Sequence, residues 1–349
     1  MSRIAAARLA NQRLSASGPR DPVATVAWFG AVQAQEYAAA KWAVALRTRG
    51  AVTDAALDAA LNDGRILRTH LMRPTWHFVA ADDVRWLLDL TAPRVHQALR
   101  WGHGQLGTDA ALRARATRII ERALVDGPAL TRPELGERLA RERIAVKGVA
   151  LALVVMHAEL EGVICSGPHR ANRSTYTLLD RRAPHARRLP RDEALAELTR
   201  RYFQSHGPAT IRDFVWWSGL TTSDARRGLG IVKARSEAVG GLTYWSVTPS
   251  RAASPPHGVH LLPIYDEYLV AYRDLVAVPR GPTRWGILPQ AIVSRGQVAG
   301  EWQASQDGDR VSVHVRAARR LTARERAELA RAVERYGRFR GRPSILRAQ

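Results

Sequence analysis

"VKGVALALVVMHAELEGVICSGPHRANRSTYTLL", residues Val146 to Leu179, reads as an apolar helix, a short strand, a basic turn from Pro168 to Arg173, and a second strand. Directly before it, "DGPALTRPELGERLARE" reads as another helix, opened by a threonine that can cap it. Helix, helix, hairpin is the pattern of a winged helix.

Working outward, the same opening recurs. A glycine, a short extended step and a helix occur at "RGAVTDAALDAALNDG" from Gly50, at the stretch above from Gly127, and at "HGPATIRDFVWWSGLTTSDARRGL" from Gly207, with Thr53, Thr131 and Thr210 in equivalent places. The starts lie roughly 80 residues apart, too far for a solenoid repeat and suited to tandem small domains. In the first copy "RTHLMRPTWHFVAADD" reads as a hairpin bending near Pro74. The third has "TTSDARRGLGIVKA" as second helix and "LTYWSVTP" as a strand. "DAALRARATRIIERAL" and "RDEALAELTRRYFQSH" are amphipathic lead-in helices.

From Pro255 the pattern turns to alternating strands broken by Gly and Pro, with "IVSRGQVAGEW" as a hairpin tipped by Arg295-Gly296-Gln297, before a last helix, "TARERAELARAVERYGRF". The expected fold is α+β: winged-helix units at 1–108, 109–190 and 191–254, then a β-rich, barrel-like domain with a terminal helix at 255–349.

Composition points to a partner. The 349 residues carry 53 Lys and Arg against 32 Asp and Glu, a formal charge of +21, and Lys41, Lys147 and Lys233 are the only lysines. Such an excess favours a polyanion, and guanidinium suits bidentate phosphate and base-edge contacts. A GC-rich genome accounts for arginine in place of lysine but not for the surplus over acids. The lone Cys165 excludes internal disulfides and thiolate metal clusters and fits a reducing compartment, so the cytoplasm, beside the DNA, is expected. No segment reaches membrane-span length and no secretory leader is evident. His96, His103, His157 and His169 show no metal-ligand spacing, and no phosphate-binding glycine loop or dinucleotide fingerprint is present, so neither metal nor cofactor is expected.

One stretch fits this architecture poorly. "AVQAQEYAAAKW", Ala31 to Trp42, puts Gln33 and Gln35 one residue apart after an apolar run. In a regular helix two such side chains diverge by about 200°. The segment from Val32 to Glu36 is therefore expected at a helix end or in extended backbone. On these residues alone, both amides satisfy buried backbone groups or serve a site.

The run "LLPIYDEYLVAYRD" (Leu261 to Asp274), the hairpin "VSRGQVAGEW", the early "RLANQRLS", "QAQ" and "RTHLMRPTWHF" together resemble the AlkZ/YcaQ-type family of winged-helix DNA glycosylases, in the expected order and over nearly the whole chain. The resemblance implies excision of alkylated bases from double-stranded DNA, and in some bacterial members the unhooking of antibiotic adducts or interstrand crosslinks. It implies that Gln33 and Gln35 are the catalytic Gln-x-Gln motif, and that Arg73, Thr75 and His77 line the cleft. Pro74 stands where the family leads one to expect glycine.

Glutamine has no useful pKa for acid or base work, but an N7- or N3-alkylated purine is already cationic and leaves without a proton. Two amides then suffice to hold a water and stabilise developing charge. Of the carboxylates nearby, Glu36 is expected to be solvated or salt-bridged, and Asp266 and Glu267 to pair with Arg273 or another arginine rather than to act as acids. Lys41 lies near the motif but is expected to tether or contact phosphate, giving a monofunctional enzyme. Contacts to DNA are expected from Lys147, Arg170, Arg173, Arg226, Arg227, Arg295 and Gln297, with the protein acting as a monomer and the 295–297 hairpin as a wedge. The competing reading is a non-catalytic tandem winged-helix DNA binder, a regulator or damage sensor indifferent to Gln33 and Gln35.

Overall fold

The computed structural model describes residues 2–15, 17–125, 127–171, 173–247, 258–273 and 290–348. They form two compact units, one made of Met1–Asp58, Ala196–Trp217 and Thr221–Gln349, the other of Ala59–Leu195 with Ser218–Leu220. The expected boundary at Pro255, the end of "LTYWSVTP" and Asp274 of the family-bearing run lie outside the described residues.

The second unit contains residues 146–179. Helices Ala110–Val125, Arg132–Arg141 and Gly148–Leu160 are followed by strands Ile164–Ser166 and Thr175–Leu178, with Leu130–Thr131 as a third strand on the far side of Thr175–Leu178. Thr131 closes a full capping box with Glu134, supplying two of the hydrogen bonds a helix start lacks. Leu135, Leu139, Ile120, Val154, Val155 and Ile164 share one core beneath the hairpin. This is the expected helix, helix, hairpin order. The first expected hairpin also forms, Ile66–His70 pairing antiparallel with Trp76–Ala80 in register Ile66↔Ala80 to His70↔Trp76, and Pro74 lies exposed in the connecting turn.

In the first unit the other two threonines cap as expected: Thr53 accepts from the Ala56 N–H at 3.2 Å, and Thr210 from the Asp213 N–H at 3.1 Å. Helices Ile211–Ser218 and Thr222–Ile231 lead to a hairpin, Arg235–Val239 with Leu242–Ser246.

The C-terminal expectation needs correction. The strands do not close into a barrel; they form an open five-stranded sheet in the order Ser344–Ala348, Arg310–Ala317, Gln297–Asp307, Ala291–Ser294, Val259–Leu262. All neighbours are antiparallel except the first pair, which is parallel. A parallel neighbour requires a crossover, and helix Ala323–Phe339 provides it. That helix buries Leu329, Val333 and Phe339 on one face, each worth roughly 1.5–3 kcal/mol relative to exposure, and turns Arg324, Arg326, Arg331 and Arg338 outward, while Arg335 donates to the Ala45 and Leu46 carbonyls. Trp42 and Trp302 fill the space between helix and sheet, their indole N–H groups donating to the Leu261 and Leu262 carbonyls at 2.7 and 2.8 Å.

Candidate active site

The segment holding the two glutamines is extended, as its spacing required. Helix Pro22–Phe29 starts on an Asp21 cap with proline at its first position, and Gly30, at φ 81°, ends it. Val32–Gln33 is a two-residue strand, the chain bends at Gln35 and Glu36, and a new helix runs from Tyr37 to Arg47. The two residues therefore lie outside helical backbone, Gln33 in the strand and Gln35 in the bend. Gln33 is 8% exposed, Ala34 is fully buried, and Gln35 and Glu36 reach the surface.

What holds Gln33 comes from far along the chain. Its backbone N–H donates to Oε1 of Glu267 at 2.7 Å. Oε2 of the same carboxylate accepts from the Trp217 indole at 2.9 Å and faces His206 Nε2 at 3.1 Å. Glu267 is 1% exposed and His206 0%. Burial lowers the His206 pKa, opposed by Glu267 and reinforced by Arg47 and Arg8, so the ring is neutral at physiological pH. His206 Nδ1 lies 2.8 Å from Ser205 Oγ, whose hydroxyl also donates to the Arg201 carbonyl at 2.6 Å, so both ring nitrogens have polar partners. Tyr202 stacks on the ring at 4.7 Å between centroids, and Phe29 meets its edge at 5.3 Å.

Asp266 beside it has a different task. It caps the short helix Glu267–Val270 through the Tyr268 N–H and takes both Arg47 terminal nitrogens, at 2.7 and 2.8 Å. The expected arginine pairing of the carboxylates thus holds for Asp266, with Arg47 in place of Arg273. For Glu267 the geometry differs from that expectation, because its oxygens face the glutamine strand, an indole and an imidazole. Nothing in the sequence around Gln33 signalled this; the only trace was an acidic pair inside an otherwise apolar run.

Lys41 is 4% exposed and pinned between Asp54 at 2.6 Å and Asp58 at 2.8 Å, with Tyr37 on the same carboxylate. It is a tether, as expected, between helix Tyr37–Arg47 and helix Asp54–Asn62. Glu36 is exposed.

In the second unit, Arg73 and Thr75 are half-buried in the hairpin turn and His77 is fully buried on the outgoing strand, opposite Thr69. Gly219, at φ 71°, lies so close to the Met72 carbonyl that a Cβ would sit 2.4 Å from the oxygen, which leaves room there for glycine alone.

The residues expected to contact DNA lie at separate surface points. Lys147 precedes helix Gly148–Leu160 and is exposed. Arg170 and Arg173 are exposed at the hairpin tip, which they close by exchanging backbone hydrogen bonds of 3.0 and 2.9 Å. The Arg170 guanidinium also grips Glu134 at 2.6 Å, so one of its charges is already engaged within the unit. Arg226 and Arg227 are exposed on helix Thr222–Ile231. Arg295 and Gly296, at φ 50° and 77°, form the two-residue turn of the expected hairpin. That hairpin is not a free wedge. Gly296 is buried against Ala5, and the Tyr268 hydroxyl donates to the Gly296 carbonyl at 3.0 Å, leaving Arg295 exposed and Gln297 half-buried. The hairpin whose outer end stands in solvent is the next one, from Gln303 to Arg310.

The histidines are less scattered than their spacing suggested. His96, His157 and Glu161 place ligand-type atoms within 4.8 Å of one another, with His103 beside them. His157 and Glu161 are four residues apart on one helix turn, a signal the sequence did contain.

Residues 26–339 match the profile of the DNA glycosylase AlkZ-like family. The chain belongs to that family. Its chemistry is therefore that of a DNA glycosylase, acting on DNA. The chain is 26% identical over 297 residues to the interstrand DNA cross-link repair glycosylase of Streptomyces sahachiroi, covering 78% of this chain and 79% of that protein. The solved structure of the DNA glycosylase AlkZ from the same organism superimposes with a TM-score of 0.81 at 23% identity, over all of this chain and 99% of the other, and establishes the α+β fold. Among the described residues of this family member, no helix is long and apolar enough to cross a membrane.

Proposed function

We propose that this glycosylase hydrolyses the N-glycosidic bond of cationic N7- or N3-alkylated purines, including bulky adducts and interstrand crosslinks, with Gln33 and Gln35 as its catalytic side chains. The observation that carries the reading is the anchoring of the glutamine segment by a buried carboxylate: the short strand that carries Gln33 is fixed through its backbone N–H by Glu267. The amides would orient a water on the sugar face and lay their dipoles along the developing oxocarbenium charge, while the alkylated base departs as a neutral molecule without general acid help. Confinement of Lys41 by two carboxylates supports hydrolysis without a Schiff base. The cross-link repair activity named for the relative supports bulky lesions as substrates.

In this reading Arg73, Thr75 and His77 line the cleft. Lys147, Arg170, Arg173, Arg226, Arg227, Arg295 and Gln297 track the duplex from three tandem winged-helix units and the sheet domain, in a monomer working at the nucleoid. The test is base release from a duplex carrying N7-methylguanine, comparing wild type with Gln33→Ala and Gln35→Ala. Release that falls by about 10²–10³ in either variant, with DNA binding intact, supports the motif. Equal release from all three proteins, or none from any despite firm binding, would overturn it.

A further inference from the structure

A cavity of about 760 Å³ is lined by His96, His103, His157 and Glu161 together with Asp109 and Arg113. It lies wholly in the second unit, and neither glutamine takes part in it. We propose that His96, His157 and Glu161 form a binding site for a divalent transition-metal ion of the zinc type, with His103 in the same cavity wall.

Three observations support the assignment. The first is the ligand geometry. His96 Nε2 lies 2.9 Å from Glu161 Oε1, and His157 Nδ1 lies 3.9 Å from the same oxygen. Ligands about 2.0–2.2 Å from a tetrahedral ion are separated by roughly 3.4 Å, so the two distances straddle the required edge and a small side-chain rotation meets it.

The second is the state of the ring nitrogens. His157 Nδ1 and His103 Nε2 are buried without a hydrogen-bond partner among the described residues. His103 is 5% exposed. Its Nδ1 meets the Thr108 hydroxyl at 2.8 Å, and that hydroxyl points its proton to the His103 carbonyl at 3.4 Å. Nε2 is the ring nitrogen left for a ligand. A histidine whose outer nitrogen is held by a hydroxyl or carbonyl is the usual form of a metal ligand.

The third is the frame. Ala92, Val95, Met156 and Leu160 pack as an apolar cluster between helices Val84–Gln105 and Gly148–Leu160, and fix the spacing at which His96 faces His157, 5.0 Å between ring centroids. The Arg113 guanidinium, which lines the same cavity and donates to the Thr108 carbonyl, opposes a cation, so Glu161 is the ligand that offsets its charge. A bound ion would clamp the long helix, one turn past its internal Pro93, to the helix that follows Lys147.

The experiment uses untagged full-length protein stripped with EDTA. Zn²⁺ uptake is measured by equilibrium dialysis with elemental analysis, and Co²⁺ is added separately to read its visible absorption. The expected result is one ion per chain with a Kd of about 1 μM or tighter, a tetrahedral Co²⁺ spectrum and a rise in Tm. His157→Ala abolishes uptake, and the exposed-side change Glu161→Gln, which spares the helix packing, weakens it at least about tenfold. His314→Ala, in the other unit, leaves it unchanged. Uptake by wild type no greater than by His157→Ala, or uptake unaltered by Glu161→Gln, overturns the site. None of these readouts depends on base release.

Discussion

Glu267 accepts the backbone N–H of Gln33 at 2.7 Å, a contact between residues 234 positions apart. Glu267→Gln keeps the shape but turns an amide NH₂ toward donors on Trp217 and His206. A buried donor left unsatisfied costs about 1–3 kcal/mol. We expect urea unfolding to shift by that amount. Base release should fall more than DNA affinity does, because the strand's position changes while the basic surface stays. A loss of affinity equal to the loss of release would place Glu267 in overall folding only.

Arg47 and Asp266 are a bidentate ion pair at 2% and 0% side-chain exposure. Removing one partner strands a buried charge. Asp266→Asn is expected to lose about 3–5 kcal/mol, and the double change Arg47→Met with Asp266→Leu to recover much of it. Equilibrium denaturation of the three variants decides; a mild Asp266→Asn would mean that water reaches the pair.

His206 supplies a pH dependence. Its folded pKa lies below 6.5, mainly from burial, while the unfolded chain titrates near 6.5. Stability from this group is therefore full above about pH 6.5 and declines as pH falls below it, because only the unfolded state takes up the proton there, with a slope of at most about 1.4 kcal/mol per pH unit. His206→Gln should flatten that part of the profile between pH 7.5 and 5.5. An unchanged slope would place the proton elsewhere.

Cys165 is fully buried, and burial pushes its thiol up to about 12. In native protein it should resist iodoacetamide at pH 8 and react at once in denaturant. Rapid native labelling, followed by mass spectrometry, would show that the second unit opens there.

Arg226→Ala and Arg227→Ala remove exposed charges from one helix. If they face phosphate, each weakens binding without regard to sequence and lowers the salt slope of log K by about 0.9. Fluorescence anisotropy across a salt series reads both quantities; an unchanged slope removes them from the interface.

Local chemistry made much of this fold legible. Thr53, Thr131 and Thr210 announced helix starts, because a cap needs only its own next turn. The Val146 to Leu179 stretch announced a helix and hairpin, because pattern and turn lie within one short window. The extended glutamine segment followed from the angular step of a helix. Non-local pairing stayed hidden. The last strand, Ser344–Ala348, is five residues after a helix, and its partner is parallel, so no turn residue marks it. The barrel-like domain expected there is an open sheet, because alternation shows strands but not how the outermost ones pair. Glu267 and the His96–His157 pair were hidden for the same reason: their partners are brought close by tertiary packing alone.

The first unit is assembled from three separated stretches, whereas the second is nearly continuous from Ala59 to Leu195. During synthesis, residues 59–195 can complete their core while the rest of the chain is still emerging. The glutamine strand has no such option, since its anchor is translated more than two hundred residues later. An N-terminal segment of 58 residues therefore waits for the rest of its unit, and a truncated product ending before residue 267 would carry an intact Gln-Ala-Gln without the carboxylate that accepts the Gln33 backbone N–H.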